Sequence, residues 1–268
     1  MSMLSSVEPW DLVADGYAEI TMKVFQGYAE EAIKKVGLKA QDRVLDVACG
    51  PGTVSLTVAP TVNSVHSVDF SEKMIAILNS SISDKGVGNI ETFCCDGQNL
   101  PFDDNTFDTA FSMFGLMFFP DRVKGFKEIY RSLKLGGKVV ASSWAPITQS
   151  PAMMAVFGAL RAMNPDIPEP QTDIKSLENP DLFKSEMEQA GFKNVEVFVV
   201  TKGMAIEARE QYWDDMIKGS APIAMMKRSL SDEQWQEKNK IALEFLSKHI
   251  PKVPAELTAD AWFGYGEK

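Results

Sequence analysis

Between residues 43 and 143, short apolar runs alternate with stretches in which apolar positions recur every three or four residues. The runs suit strands buried on both faces and the longer period suits covering helices, so the alternation predicts a mostly parallel sheet with crossover helices. Strands are predicted at 43–47, 65–69, 90–94, 107–112 and 138–143. Helices are predicted at about 53–59, 72–79 and 123–133, with Ser71 as N-cap of the second and Gly136-Gly137 as a left-handed exit from the third. A helix at 182–190 ending at Gly191, a strand at 195–201 and a last strand at 261–265 complete the pattern.

Two segments break this rhythm. Residues 145–180 hold a Met-rich apolar stretch around Met153 and Met154, with Met163 nearby, and then prolines at 165, 168, 170 and 180. Residues 204–257 read as two or three amphipathic helices around Tyr212-Trp213 and 235–249, with Met225-Met226 between them. The chain is therefore expected to be one domain, 1–268. Its core comprises about 36–145, 181–203 and 258–268, and the segments 1–35, 146–180 and 204–257 supply a helical lid. The methionines are expected in the core, or in a pliable apolar lid.

Charge narrows the partners. With 27 Lys+Arg against 37 Asp+Glu the formal charge is -10, so the average surface repels polyanions and nucleic acid is not expected as a partner. The longest apolar stretches, 110–119 and 152–160, are about half of the ~20 residues that a membrane-spanning helix needs, so no integral membrane segment is expected. The first eleven residues lack a basic start and an apolar run, which makes the cytoplasm the expected compartment. Cys49, Cys94 and Cys95 form no CxxC pair, and His66 and His249 have no second ligand at helical spacing, so no metal site is expected. Cys49 is read as a small turn residue and Cys94-Cys95 as the end of a buried strand. His66 is read as a packed or edge residue of its strand, and His249 as a favourable partial charge at a helix C-terminus.

The stretch Val44-Leu45-Asp46-Val47-Ala48-Cys49-Gly50-Pro51-Gly52-Thr53 carries the chemistry. A strand ending in a glycine turn that opens a helix lets a ligand approach backbone N–H groups, because Gly50 and Gly52 place no Cβ in the way. Asp69 follows Gly50 by 19 residues at the end of the next strand, where a carboxylate can accept from both hydroxyls of a ribose. Together they predict an adenosine-type ligand. The third glycine of a dinucleotide fingerprint is replaced by Ser55, and no GK[ST] phosphate loop is present.

These residues, with Asp69-Phe70-Ser71-Glu72-Lys73-Met74, Asp96-Gly97, Leu100-Pro101-Phe102, Phe107-Asp108, the run from Phe114 to Asp121 and Leu135-Gly136-Gly137-Lys138, resemble the class I S-adenosylmethionine-dependent methyltransferases. The similarity is greatest to the small-molecule branch that contains ubiquinone/menaquinone C-methyltransferases. It covers about 36–145 most fully. It implies an α/β, Rossmann-like fold: a seven-stranded sheet with one antiparallel strand, helices on both faces, and S-adenosyl-L-methionine across the strand ends. Carried over by motif, Asp46, Gly50 and Gly52 lie near the methionine moiety, Asp69 takes the ribose hydroxyls and Met74 packs on the adenine beside Phe70. Asp96 accepts from the adenine amino group beside Gly97, and Ser112, Met113 and Phe114 line the cofactor and the methyl-transfer opening. Ala48 stands where many relatives have glycine.

Methyl transfer from a sulfonium is an in-line displacement with an activated leaving group, so alignment and exclusion of water are the protein's main tasks. No catalytic base is identified, and neither histidine falls on a matching motif. Tyr17 and Tyr28 are candidates to close over the cofactor, since an aromatic face attracts a sulfonium. The acceptor is expected to be small and mostly apolar or cationic, methylated on O, N, S or C. A nicotinamide-dependent oxidoreductase and an inactive cofactor-binding subunit are the alternative readings, and a homodimer is left open.

Overall fold

A computed structural model of the chain describes residues 3–268. Its strands are β1 Arg43–Val47, β2 Ser64–Asp69, β3 Ile90–Cys94, β4 Phe107–Met113, β5 Leu133–Trp144, β6 Lys193–Ile206 and β7 Ala255–Glu267. They form one sheet in the order β3-β2-β1-β4-β5-β7-β6. β1 to β5 pair in parallel, and β7 runs antiparallel to both of its neighbours. Val44, Leu45, Val47, Val65, Val68, Phe111, Val139 and Val140 are all without solvent exposure, which is why these strands read as continuous apolar runs.

The two faces of the sheet build separate cores, because side chains alternate along each strand. Leu45, Val47, Val139 and Ala141 pack with Phe126 and Ile129 of α5 (Arg122–Ser132) and Phe183 and Met187 of α7 (Pro180–Ala190). Val44, Val65, Phe111 and Val140 face Tyr28 and Ala32 of α2 (Met22–Val36) and Val54 of α3 (Thr53–Val58). On the first face Glu186, nearly buried, accepts from Arg122 Nε at 2.8 Å and Nη2 at 2.6 Å, which ties α5 to α7. The Ser71 hydroxyl caps α4 (Glu72–Lys85) by accepting the Met74 N–H. That helix runs to Lys85, with Gly86 as its left-handed C-cap, rather than stopping near Asn79.

Several boundaries differ from expectation. Helix α5 ends at Ser132 because Leu133 is already a buried strand residue paired with Phe107, so the glycine pair is not its exit. Gly136, at φ +76°, lies instead in an irregular stretch of β5 where the register shifts between Phe107 and Thr109. Strands β6 and β7 extend as a paired ribbon from Lys193↔Glu267 to Ile206↔Ala255, which shortens the second insert to 207–254. The two inserts fold into α6 (Pro151–Met163), α8 (Arg209–Gly219), α9 (Ala221–Arg228) and α10 (Asp232–His249), which enclose a small core of their own around Ala159, Met163, Trp213, Ala242 and Leu246; none of their residues lines the cavity over the strand ends, whose cover comes from the N-terminal segment instead. Met163 is buried in it, whereas Met153, Met225 and Met226 are half-buried and Met154 is exposed. Among the described residues no helix is long and apolar enough to cross a membrane.

At the N-terminus, α1 (Glu8–Gly16), a π-helical turn (Tyr17–Thr21) and α2 form one unbroken rod, since the junction residues Tyr17 and Met22 are right-handed helical. Trp10, Tyr17 and Phe25 are spaced by seven and then eight residues. A plain α-helix would rotate the third off the line of the first two; the additional residue in the π-turn restores it. Their rings meet in sequence, with centroids 6.3 Å apart for Trp10 and Tyr17 and 5.8 Å for Tyr17 and Phe25.

Candidate active site

β1 and β4 are adjacent, but the chain leaves them toward opposite edges of the sheet, so a crevice opens at their carboxyl ends. Both exits are strained in the same way: Ala48 and Phe114, the first residues past β1 and β4, each have φ +56°. Gly115 makes the crossing possible, because a Cβ there would collide with the Cβ of Ala48. Alanine at position 48 therefore leaves room for a side chain on one side of the crossing only.

A cavity of about 220 Å³ lies over these strand ends. Tyr17, Gly50, Asp69, Phe70, Met74, Asp96, Gly97 and Met113 all line it. A recess of about 40 Å³ shares Tyr17, Ala48, Gly50 and Met113 with the cavity and adds Asp46, Phe25 and Thr53. Phe114 lines the cavity as well, so the structure gathers ten of the thirteen residues singled out from the sequence. Gly52 and Ser112 are not on either wall. Gly52, at φ +95°, is required for packing, since any Cβ would strike Leu78 of α4. Ser112 is wholly buried beneath the β4 exit, and its Oγ has no hydrogen-bond partner among the described residues. Tyr28 does not close over the site either: its hydroxyl donates to the Ala259 carbonyl at 2.7 Å inside the core.

The acidic groups are held firmly. Asp69, 6% exposed, accepts from Gly50 N–H at 2.8 Å through Oδ2 and from Ser71 N–H at 2.9 Å through Oδ1. Burial raises its carboxyl above the usual range, and those backbone donors partly offset the rise. Asp46 Oδ2 accepts from Ser55 N–H at 3.1 Å and Ser55 Oγ at 2.6 Å, while the Ser67 hydroxyl lies 2.7 Å from Ser55 Oγ. Burial pushes Asp46 up to about 7 against the pull of these bonds, and the charge of Asp69 adds to the rise. Ser55, where a dinucleotide fold has glycine, thus holds this carboxylate in place. Burial also raises the Tyr17 phenol and the Cys49 thiol, so Cys49 is a turn residue without thiolate character.

Cys94 and Cys95 do not end a buried strand. Cys94 closes edge strand β3 and is exposed, and Cys95 is half-buried in the cavity wall. His66 is half-buried and stacked on Phe93 at 5.9 Å, with Nε2 3.3 Å from Glu91 and Nδ1 unpartnered among the described residues; burial lowers its pKa. His249 lies at the C-terminus of α10, where its Nδ1 is 2.8 Å from the Phe245 carbonyl.

Residues given no role from the sequence form much of the remaining wall: Leu4, Ser5 and Trp10 from the N-terminal segment, and Phe118, Phe119 and Pro120, which belong to the 114–121 motif but were not singled out within it. Trp10 packs on Phe118 with centroids 4.9 Å apart, and the Ser5 hydroxyl donates to the Phe118 carbonyl at 2.9 Å. The aromatic spacing at 10, 17 and 25 was the available signal for Trp10, but it requires knowledge of the π-turn.

A nucleoside cofactor suits this arrangement. Gly50, at φ +52°, brings backbone to the cavity floor, and a Cβ on Gly97 would meet Phe119 and Val47 at 2.7 and 2.9 Å, so that corner admits only bare backbone. A Rossmann-like sheet with a glycine turn, a buried carboxylate at the end of β2 and an acidic residue after β3 is the arrangement of a class I S-adenosylmethionine-dependent methyltransferase. A family model described as the ubiE/COQ5 methyltransferase family matches residues 11–210. The ubiquinone/menaquinone biosynthesis C-methyltransferase UbiE of Geobacter sp. (strain M21) is 34% identical over 194 residues, 65% of this chain and 80% of that relative. Among solved structures, the YcgJ protein of Bacillus subtilis superposes with a TM-score of 0.58 at 19% identity, covering 90% of this chain and 97% of that one. Phosphoethanolamine N-methyltransferase 2 of Haemonchus contortus, solved with phosphomonomethylethanolamine and S-adenosylhomocysteine, superposes with 0.55 at 19% identity, covering 90% and 52%. These two likenesses speak for the fold. The chain belongs to the ubiE/COQ5 methyltransferase family. It is an enzyme whose cofactor is S-adenosylmethionine, and α9, α10, β7 and all but the first two residues of α8 lie beyond the residues the family model matches.

Proposed function

We propose that this methyltransferase acts on a carbon of a small, uncharged, electron-rich ring of the reduced-quinone type. The observation that carries the reading is the make-up of the cavity wall. Leu4, Trp10, Met113, Phe118, Phe119 and Pro120 are apolar, the ionisable groups beside them are Asp69, Asp96, Tyr17 and Cys95, and no Lys, Arg or His lines the cavity among the described residues. An anionic acceptor would enter without a counter-charge, whereas a flat apolar ring gains from burial and aromatic contact. The names of relatives agree, since the Geobacter protein is a ubiquinone/menaquinone C-methyltransferase and a Geobacillus relative, 28% identical, is a demethylmenaquinone methyltransferase.

Bound S-adenosylmethionine supplies an electrophilic methyl group on a positively charged sulfur. Asp69, Gly50 and Gly97 would hold the nucleoside end, Asp46 and the Gly50 turn would face the methionine end, and Tyr17 with Trp10 would keep water out. Transfer would form the ring carbon–methyl bond as the sulfur–carbon bond breaks with its electron pair left on sulfur, and the displaced ring proton would pass to solvent. No side chain is assigned as general base.

The test is transfer of a labelled methyl group to a panel: reduced demethylated naphthoquinol and benzoquinol with short prenyl tails, primary amines, thiols and tRNA. Label is expected on a quinol ring carbon, in a bond that resists acid and base. Label confined to amine, thiol or tRNA would overturn the assignment.

A further inference from the structure

The N-terminal rod is tied to the cofactor end of the sheet through one hydroxyl. Ser71 Oγ accepts the Met74 N–H at 3.1 Å to cap α4. With a lone pair committed to the cap, it has one proton to give, and Asp11 Oδ1 on α1 accepts it at 2.6 Å. The Ser71 N–H donates to Asp69, which also holds the Gly50 N–H, so Asp11, Ser71, Asp69 and Gly50 form a chain of contacts from α1 to the glycine turn. Lys73 Nζ adds a second tie by donating to the Asp11 carbonyl at 3.1 Å. Asp11 follows directly on Trp10 and precedes Tyr17 by six residues on the same rod, and both rings line the cavity.

The choice of residue matters. A neutral acceptor would anchor α1 to Ser71 without bringing a second negative charge toward Asp69. A carboxylate gives a stronger, charge-assisted bond, and it does so two residues on from Asp69, whose carboxylate accepts the Ser71 N–H.

We propose that Asp11 is a positioning residue for methyl transfer. By accepting the Ser71 proton it holds α1 down so that Trp10 and Tyr17 roof the cofactor, and departure of S-adenosylhomocysteine requires that bond to open. This rests on the cofactor lying along Asp69 and is independent of the acceptor.

The experiment is stopped-flow measurement of S-adenosylhomocysteine association and dissociation with the full chain, beside the melting temperature of the free protein. For Asp11→Ala the dissociation rate should rise about tenfold or more, with association altered less than about threefold. Asp11→Asn, which keeps an acceptor, should return the dissociation rate to within about threefold of the parent. A merely structural contact would lower the melting temperature and leave dissociation unchanged. Should Asp11→Ala fail to fold, Asp11→Ser, too short to reach Ser71, must give the same acceleration. Dissociation within about twofold of the parent in the non-accepting variant, or equal acceleration in Asp11→Ala and Asp11→Asn, would overturn the latch alone. A parent chain that does not bind S-adenosylhomocysteine would overturn the cofactor site and the latch with it.

Discussion

Asp46→Asn isolates the cost of keeping a carboxylate under the glycine turn. Asp46 is 1% exposed and accepts twice from Ser55, once from its N–H and once from its hydroxyl. Its carboxyl is pushed up to about 7, chiefly by burial, from about 3.9 in an unfolded chain. As pH rises the unfolded chain therefore releases this proton first. The stability contributed by the group is full below about pH 4, falls between about 4 and 7, and is gone above that range. The span corresponds to on the order of 4 kcal/mol, or roughly 8 °C in melting temperature for a chain of this size. Asparagine keeps a carbonyl for Ser55 and does not titrate, so the parent should lose several degrees relative to the variant between pH 5 and pH 8. Asp69, raised in the same direction, is present in both proteins and largely cancels from the difference. Calorimetry of the ligand-free chains across that range is the assay, and saturating S-adenosylhomocysteine, which carries an ammonium, should narrow the gap. Parallel curves for the two proteins would refute the reasoning, because they would mean that Asp46 ionises as an ordinary surface acid.

Asp69→Ala should weaken S-adenosylhomocysteine binding by about 1.5–3 kcal/mol, checked by titration calorimetry; unchanged affinity would take Asp69 out of the site. Gly115→Ala should cost about 1–3 kcal/mol through collision with Ala48, and adding Ala48→Gly should restore most of it, which a double-mutant cycle in denaturant measures. Arg122→Met should cost about 3–5 kcal/mol by stranding Glu186, and Glu186→Leu in the same chain should recover it; urea titrations of the three variants decide.

The central sheet was legible because its parallel strands are covered on both faces, so Val44–Val47 and the run at 65–68 announce themselves without help from a distant partner. Ser71 was legible as a cap for the same local reason. The ends of β6 and β7 were not, because Lys202 and Glu256 sit in a ribbon with one wet face, where polar residues look like loop. In the site, Asp69 and Gly50 follow from spacing along two adjacent strands. Gly52 and Ser112 show the limit of motif transfer: both belong to the motif, yet one glycine makes room for Leu78 and the serine lies beneath the strand exit. Trp10 escaped because its place depends on how a helix far from the glycine turn is wound.

That winding makes the N-terminal rod sensitive to length more than to composition. The π-turn at Tyr17–Thr21 acts as a phase adjuster between two helices, one docked on the sheet and one hung over the cavity. Changing residue types on the outer side of α1 leaves the phase alone. Removing one residue from the turn would rotate everything before it by about 100° about the rod axis, taking Trp10 off the cavity and Asp11 off Ser71 together while every helical hydrogen bond could still form. Such a deletion would be silent in a measure of helix content and ruinous at the crevice, so in a lineage of such chains the segment between Tyr17 and Phe25 is expected to vary in letters while holding its count.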